Sequence, residues 1–248
     1  MSTPQIVRHA DAAALAEDVA LRLVDEIVRA EADKRAFHLV LTGGGVGIAV
    51  LEAVRAHSAE SGLNWSHVHL WWGDERFLPD KDPDRNETQA CAALIDAIDI
   101  PATQVHPIPA SDGMDGDDAA HAATRYSREL AVAARGAGPV PAFDVCLLGM
   151  GPDAHVASLF PGLPQIDEDE AAVAPVHGSP KPPPTRVTLT LPSLNASRQV
   201  WVLASGESKA GAVRLGLSGA DPHEAPVAAV RGTDKTVFWL DEAAAAEL

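Results

Sequence analysis

Three times along this chain a short run of strand-forming residues stops at glycine and a polar or helical stretch follows. The first run covers residues 37–42, meets Gly43, Gly44 and Gly45, and restarts with helical periodicity at 47–60. The second, 68–72, opens into GDERFLPDKDPDRN, after which Asn86 can cap a helix reaching about residue 97. The third, 143–149, is almost continuously apolar, as in a strand buried on both faces of a parallel sheet, and it breaks into glycine before a short helix.

Other segments extend the alternation. Leu15, Val19, Leu23 and Ile27 form a helical stripe beneath a cap at Asp11. Helices are also expected at 119–134, behind the Asp-rich 111–118, and at 208–217. Further strands are expected at 185–190, 199–204 and 236–240. Strands alternating with helices across short turns imply right-handed crossovers and an α/β, doubly wound, mostly parallel sheet of Rossmann type with helices on both faces. Residues 1–248 are expected to form a single domain.

Composition permits such a core and narrows the partners. Of 248 residues 46% are hydrophobic, and 19 Lys and Arg stand against 35 Asp and Glu, a formal charge of −16. So acidic a chain is unsuited to duplex nucleic acid or an anionic membrane, and no nucleic-acid or membrane partner is expected. Cys91 and Cys146 sit in apolar runs without paired spacing and read as inert thiols in a reducing compartment. Charge at Arg8 and Asp11 interrupts any leader, and no run nears the ~20 apolar residues that span a bilayer, so a cytoplasmic protein is expected.

Ligands of open parallel sheets bind beyond the carboxyl ends of the strands, which singles out residues 42–47, 73–86 and 149–162. The glycines 43–45 bring bare amides to a helix N-terminus, where an anion or developing oxyanion is favoured. They match neither a dinucleotide fingerprint nor a P-loop. In the second loop Asp74, Glu75 and Arg76 should face the cleft: Arg76 suits a phosphate or carboxylate, and Asp74 or Glu75 can hold it or bind sugar hydroxyls. Of Trp71 and Trp72, one is assigned to the core.

The third loop, GMGPDAHVASLFPG, carries His155 behind Gly149, Gly151 and Asp153. Histidine titrates near neutrality, which makes His155 a candidate base for drawing a proton from water, its tautomer fixed by Asp153 or a backbone carbonyl. The other nine histidines lack such a setting. Arg186 opens a strand, and Lys209 sits in the first turn of a helix, where a cation opposes the dipole unless an anion shares the site. No serine elbow and no metal-ligand spacing occurs, and neither cofactor nor metal is expected.

Together FDVCLLGMGPDAHVASLFPG, WWGDERFLPDKDPDRN, KPPPTRVTLTLPSLNAS, GESKAGAV and TVFWLDEAAA resemble, in order, the 6-phosphogluconolactonases of the pentose phosphate pathway, from about Phe37 to the C-terminus. The resemblance implies hydrolysis of 6-phosphoglucono-1,5-lactone without cofactor, with His155 as general base and Arg76 and Lys209 at the substrate phosphate. Arg186 is expected beside them, and a monomer or weak homodimer is anticipated. Three positions depart from the family pattern. Ala154 replaces the usual glycine before the histidine, where a positive φ is less comfortable. The first loop reads Thr42-Gly43-Gly44-Gly45-Val46-Gly47 in place of S-G-G-[ST]-x-P, and Arg85 stands where serine is common.

Two alternatives are weighed against this. A glucosamine-6-phosphate deaminase would carry a segment resembling G-H-I-A-F-N-E-P, whereas Ser158-Leu159-Phe160-Pro161 follow here. A phosphosugar-sensing domain of a transcription regulator would need ~60 further residues for a basic helix-turn-helix.

Overall fold

The computed structural model describes residues 3–114 and 116–248. Its elements run β1 (Gln5–His9), α1 (Ala12–Ala32), β2 (Phe37–Leu41), α2 (Gly45–Ser61), β3 (Val68–Trp72), β4 (Asp74–Arg76), α3 (Asn86–Ala93), β5 (Val105–His106), α4 (Ala119–Ala133), β6 (Val145–Gly149), β7 (Val173–Val176), β8 (Arg186–Leu189), α5 (Leu191–Asn195), β9 (Gln199–Ala204), α6 (Ala210–Ser218) and β10 (Lys235–Asp241). Seven strands form a parallel sheet in the order β1-β10-β9-β6-β2-β3-β5, and β4-β8-β7 form a small antiparallel sheet beside it.

Local chemistry starts the helices. The Asp11 carboxylate accepts from the Ala14 amide at 2.9 Å to cap α1, and Leu15, Val19, Leu23 and Ile27 are fully buried beneath it. Asp118 caps α4 through the amides of Ala120 and His121. Steps from β1 to β2, β2 to β3 and β3 to β5 all run one way across the sheet and carry α1, α2 and α3, which pack in sequence on one another. Steps from β5 to β6 and β9 to β10 run the other way and carry α4 and α6. Right-handed crossovers in opposite directions put the two sets on opposite faces, the doubly wound arrangement. The direction changes between β2 and β6, so their carboxyl ends flank the topological switch point.

Several expectations need correction. Residues 185–190 do hold a strand, Arg186–Leu189, but in the small antiparallel sheet, and β1, β4, β5 and β7 were not foreseen. No helix begins between Gly149 and Gly162. Residues 150–159 are instead held by isolated bridges of Val156 with Met150 and Leu159, because Ala154 and Ala157, at φ of 64° and 49°, leave the right-handed region that a helix requires throughout. Asn86 begins α3 but does not cap it. Both Trp71 and Trp72 are buried. Among the described residues no helix is long and apolar enough to cross a membrane.

Candidate active site

Beyond the ends of β2 and β6 lies a cavity of about 230 Å³. The two strands' loops are stitched together there: the Gly149 amide donates to Thr42 Oγ1 at 3.0 Å. Gly44 turns at φ 85° to start α2, and a Cβ on Gly43 would overlap the Asn86 carboxamide. Gly43, Gly44, Gly149 and Gly151 line the cavity. Gly45 does not; it is the first residue of α2. Asn86 also lines it, donating from Nδ2 to the Asp74 carbonyl at 2.9 Å while its buried Oδ1 has no partner among the described residues.

The third loop turns His155 into this cavity. The Gly151 amide donates to the His155 carbonyl at 3.0 Å and the Ala154 amide to the Gly151 carbonyl at 3.0 Å, while the Ala154 carbonyl accepts from the Val227 amide. These bonds hold Ala154 in a left-handed conformation that costs a non-glycine residue roughly 1 kcal/mol, so the glycine usual in the resembling family is not needed for this turn. A Cβ on Gly151 would overlap both the imidazole and the Asp153 carboxylate, so only glycine lets them pack there.

His155 Nδ1 lies 2.6 Å from Asp153 Oδ1. An ionised carboxylate only accepts hydrogen bonds, so Nδ1 carries a proton and in the neutral ring the lone pair is on Nε2. Partial burial pushes the Asp153 carboxyl up, yet the hydrogen bonds and charges of His155 and Lys181 outweigh it and hold the group well below the ordinary carboxylate range. Asp153 therefore stays ionised at neutral pH. The ring rests against Phe160, centroids 4.5 Å apart, and Arg186 Cζ lies 5.7 Å from the centre of that same phenyl ring.

Four cationic side chains, Arg76, Lys181, Arg186 and Lys209, line the cavity against one carboxylate, Asp74. In a chain of formal charge −16 such a cluster is the local field an anion needs. Each cation comes from a different place. Arg76 ends β4 and donates from Nη1 to the Asp84 carbonyl at 2.6 Å. Arg186 opens β8, pairs in register with Arg76, and is fixed by the carbonyls of Pro182 and Pro183. Lys209 closes a 3-10 turn ahead of α6, and burial followed by the nearby Lys181 charge lowers its ammonium below the usual value. Lys181, in the proline-rich loop before β8, was missed in the sequence. Its only signal was a lysine inside the KPPPTR segment, whose position over the sheet depends on where β7 and β8 pack.

Asp74 and Glu75, expected to share the cleft, separate. β4 is a strand, so successive side chains alternate. Asp74 and Arg76 face the cavity; Asp74 accepts from Ser158 Oγ at 2.6 Å and pairs with Arg186 at 3.9 Å. Glu75 does not line the cavity. Its carboxylate accepts from the amides of Arg76, Asn86 and Glu87 at 2.7–2.8 Å, which caps α3 from outside the helix. Burial pushes this carboxyl up to about 7, against the pull of Arg85 and the three amides. Arg85, fully buried, donates to the Leu78 and Ile108 carbonyls and to Glu87, so the residue that departs from the family pattern braces the loop and is absent from the cavity lining.

Among the described residues no group of three or more His, Cys, Asp or Glu is placed to hold a metal ion. A doubly wound sheet with a basic cavity at its switch point and a polarised histidine in that cavity defines an α/β enzyme for a small anionic substrate. The family model described as glucosamine-6-phosphate isomerases/6-phosphogluconolactonase matches residues 10–239, and the chain belongs to this family. It is 50% identical to a 6-phosphogluconolactonase of Streptomyces coelicolor across 99% of this chain and 95% of that one. With a 6-phosphogluconolactonase of Mycobacterium tuberculosis it shares 49% over 92% and 91% of the two chains. The solved structure of 6-phosphogluconolactonase from Trypanosoma brucei superimposes with a TM-score of 0.84 at 30% identity, covering both chains completely.

Proposed function

We propose that this chain hydrolyses 6-phospho-D-glucono-1,5-lactone to 6-phospho-D-gluconate, a step of the oxidative pentose phosphate pathway, in the cytoplasm. The observation that carries this reading is the pairing of His155 with Asp153 inside the cavity that Arg76, Arg186 and Lys209 also line.

The substrate phosphate is held by Arg76 and Lys209 with Arg186, and the sugar hydroxyls meet Asp74 and the free Oδ1 of Asn86. That grip sets the lactone carbonyl against a water beside His155. Nε2 takes a proton from this water as its oxygen attacks the carbonyl, and Asp153 stabilises the imidazolium that forms. Loop amides around Gly43 and Gly44, or a neighbouring cation, stabilise the tetrahedral oxyanion. Collapse expels the ring oxygen, which takes the proton back from Nε2, so one water is consumed and one carboxylic acid and one hydroxyl are made.

Phosphorylated lactones also open without a catalyst, so the decisive measurement is a coupled assay of fresh 6-phosphogluconolactone against a blank without protein, with EDTA present. Acceleration that survives EDTA is expected, and His155→Ala should fold and lose ~10²- to 10⁴-fold in kcat. Undiminished turnover by folded His155→Ala would remove the histidine from the scheme. Consumption of glucosamine 6-phosphate alone, with release of ammonia, would replace the lactonase by the deaminase.

A further inference from the structure

A histidine base works only while its ring is neutral, and a carboxylate hydrogen-bonded to Nδ1 favours the charged ring. In this site a second charge stands on the same side. The Lys181 ammonium lies 3.2 Å from Asp153 Oδ1 and 3.2 Å from His155 Nδ1. Nδ1 already gives its proton to the carboxylate, so the ammonium also donates to Asp153 and stands beside the ring as a second positive charge.

Its location is built rather than incidental. Ser179 Oγ donates to the Lys181 carbonyl at 2.9 Å and accepts from the Lys181 amide at 3.2 Å, and Arg186 Nη2 lies 3.4 Å from the same carbonyl. We propose that Lys181 is a positioning residue for the His155–Asp153 pair: its ammonium locks the carboxylate in place and opposes protonation of the imidazole.

Other charges face the ring from each neighbouring element. Asp153 is on its own loop, Asp74 and Arg76 come from β4, Arg186 from β8 and Lys209 from the turn before α6. Arg186 is separated from His155 by Phe160 and paired with Asp74. Arg76 and Lys209 are matched by the phosphate once substrate binds. Lys181 is the cation within hydrogen-bond distance of the pair, and it is already matched to Asp153.

This inference rests on the lactonase reading of the site, and its test has one arm that does not. In the free protein the ring protons of His155 are followed by NMR against pH, with the signal assigned through His155→Gln. In parallel, kcat/KM for the lactone is measured against pH. In Lys181→Met and Lys181→Gln the titration midpoint and the acidic limb of the rate profile should rise together by about one pH unit. Lys181→Arg should restore both. An unmoved midpoint overturns the proposal. So does a raised KM with an unmoved acidic limb, which would make Lys181 a substrate ligand. A chain without lactonase activity would still report the midpoint, so the two readings fail separately.

Discussion

Asp74 and Glu75 are adjacent carboxylates that stand on opposite sides of β4, the first at the cavity beside Ser158 and Arg186, the second against the amides that open α3. A single step along the chain separates a group at the cavity from a group that holds the frame. The frame matters here because α3 begins with Asn86, whose carboxamide sits against Gly43 at the cavity wall.

Glu75→Gln should therefore act on stability more than on binding. The amide keeps one acceptor oxygen but leaves buried Arg85 without its second carboxylate neighbour, 3.9 Å away. A loss of about 1–3 kcal/mol is expected from urea unfolding, with KM for the lactone within a few-fold of wild type at a temperature where the variant is folded. A large KM effect at unchanged stability would put Glu75 at the substrate.

Asp153→Asn should do the reverse. An asparagine can present its NH₂ to Nδ1, which drives the ring proton to Nε2 and removes the lone pair that must accept from water. A fall in kcat of about 10²-fold or more is expected, with thermal stability close to wild type because Asp153 is partly exposed. Steady-state kinetics beside a melting curve checks both halves.

Lys209→Met should separate binding from chemistry. Losing a charged contact to phosphate costs about 1.5–3 kcal/mol, equivalent to roughly a 10- to 100-fold rise in KM. The kcat at saturation should change far less. Competitive inhibition by 6-phosphogluconate should weaken in parallel, and an unchanged inhibition constant would move the phosphate elsewhere.

Acid should destabilise the fold through His38. This residue accepts from Trp71 Nε1 at 3.1 Å in a stacked row with His69 and His106, and burial, with the neighbouring histidines, lowers it to about 4 from 6.5. Between these values the unfolded chain binds a proton that the folded chain refuses. Stability is therefore complete above pH 6.5 and falls as pH drops toward 4, by about 2 kcal/mol at pH 5. His69, lowered for the same reason, adds in the same direction. Urea unfolding at pH 7 and pH 5 should show this loss in wild type and a smaller one in His38→Gln.

Much of this architecture is local chemistry. The Asp caps of α1 and α4, the apolar runs of β2, β3, β6, β9 and β10, and the glycine at which β2 gives way to α2 depend on near neighbours along the chain, so sequence determined them, together with the α/β class and the importance of the three loops. The motif around His155 was legible for the same reason: histidine, aspartate and the glycine that makes room for them lie within five residues. Side-chain direction was decided elsewhere. Whether Glu75 faces substrate or a helix depends on Asp74–Arg76 joining β8 as a strand, a pairing of segments more than a hundred residues apart. The arrival of Lys181 beside Asp153 depends on where that small sheet docks, and the left-handed turn at Ala154 on an amide from Val227. Such long-range contacts are chosen by burial and hydrogen bonding summed over the whole fold, and no short window of sequence holds the terms of that sum.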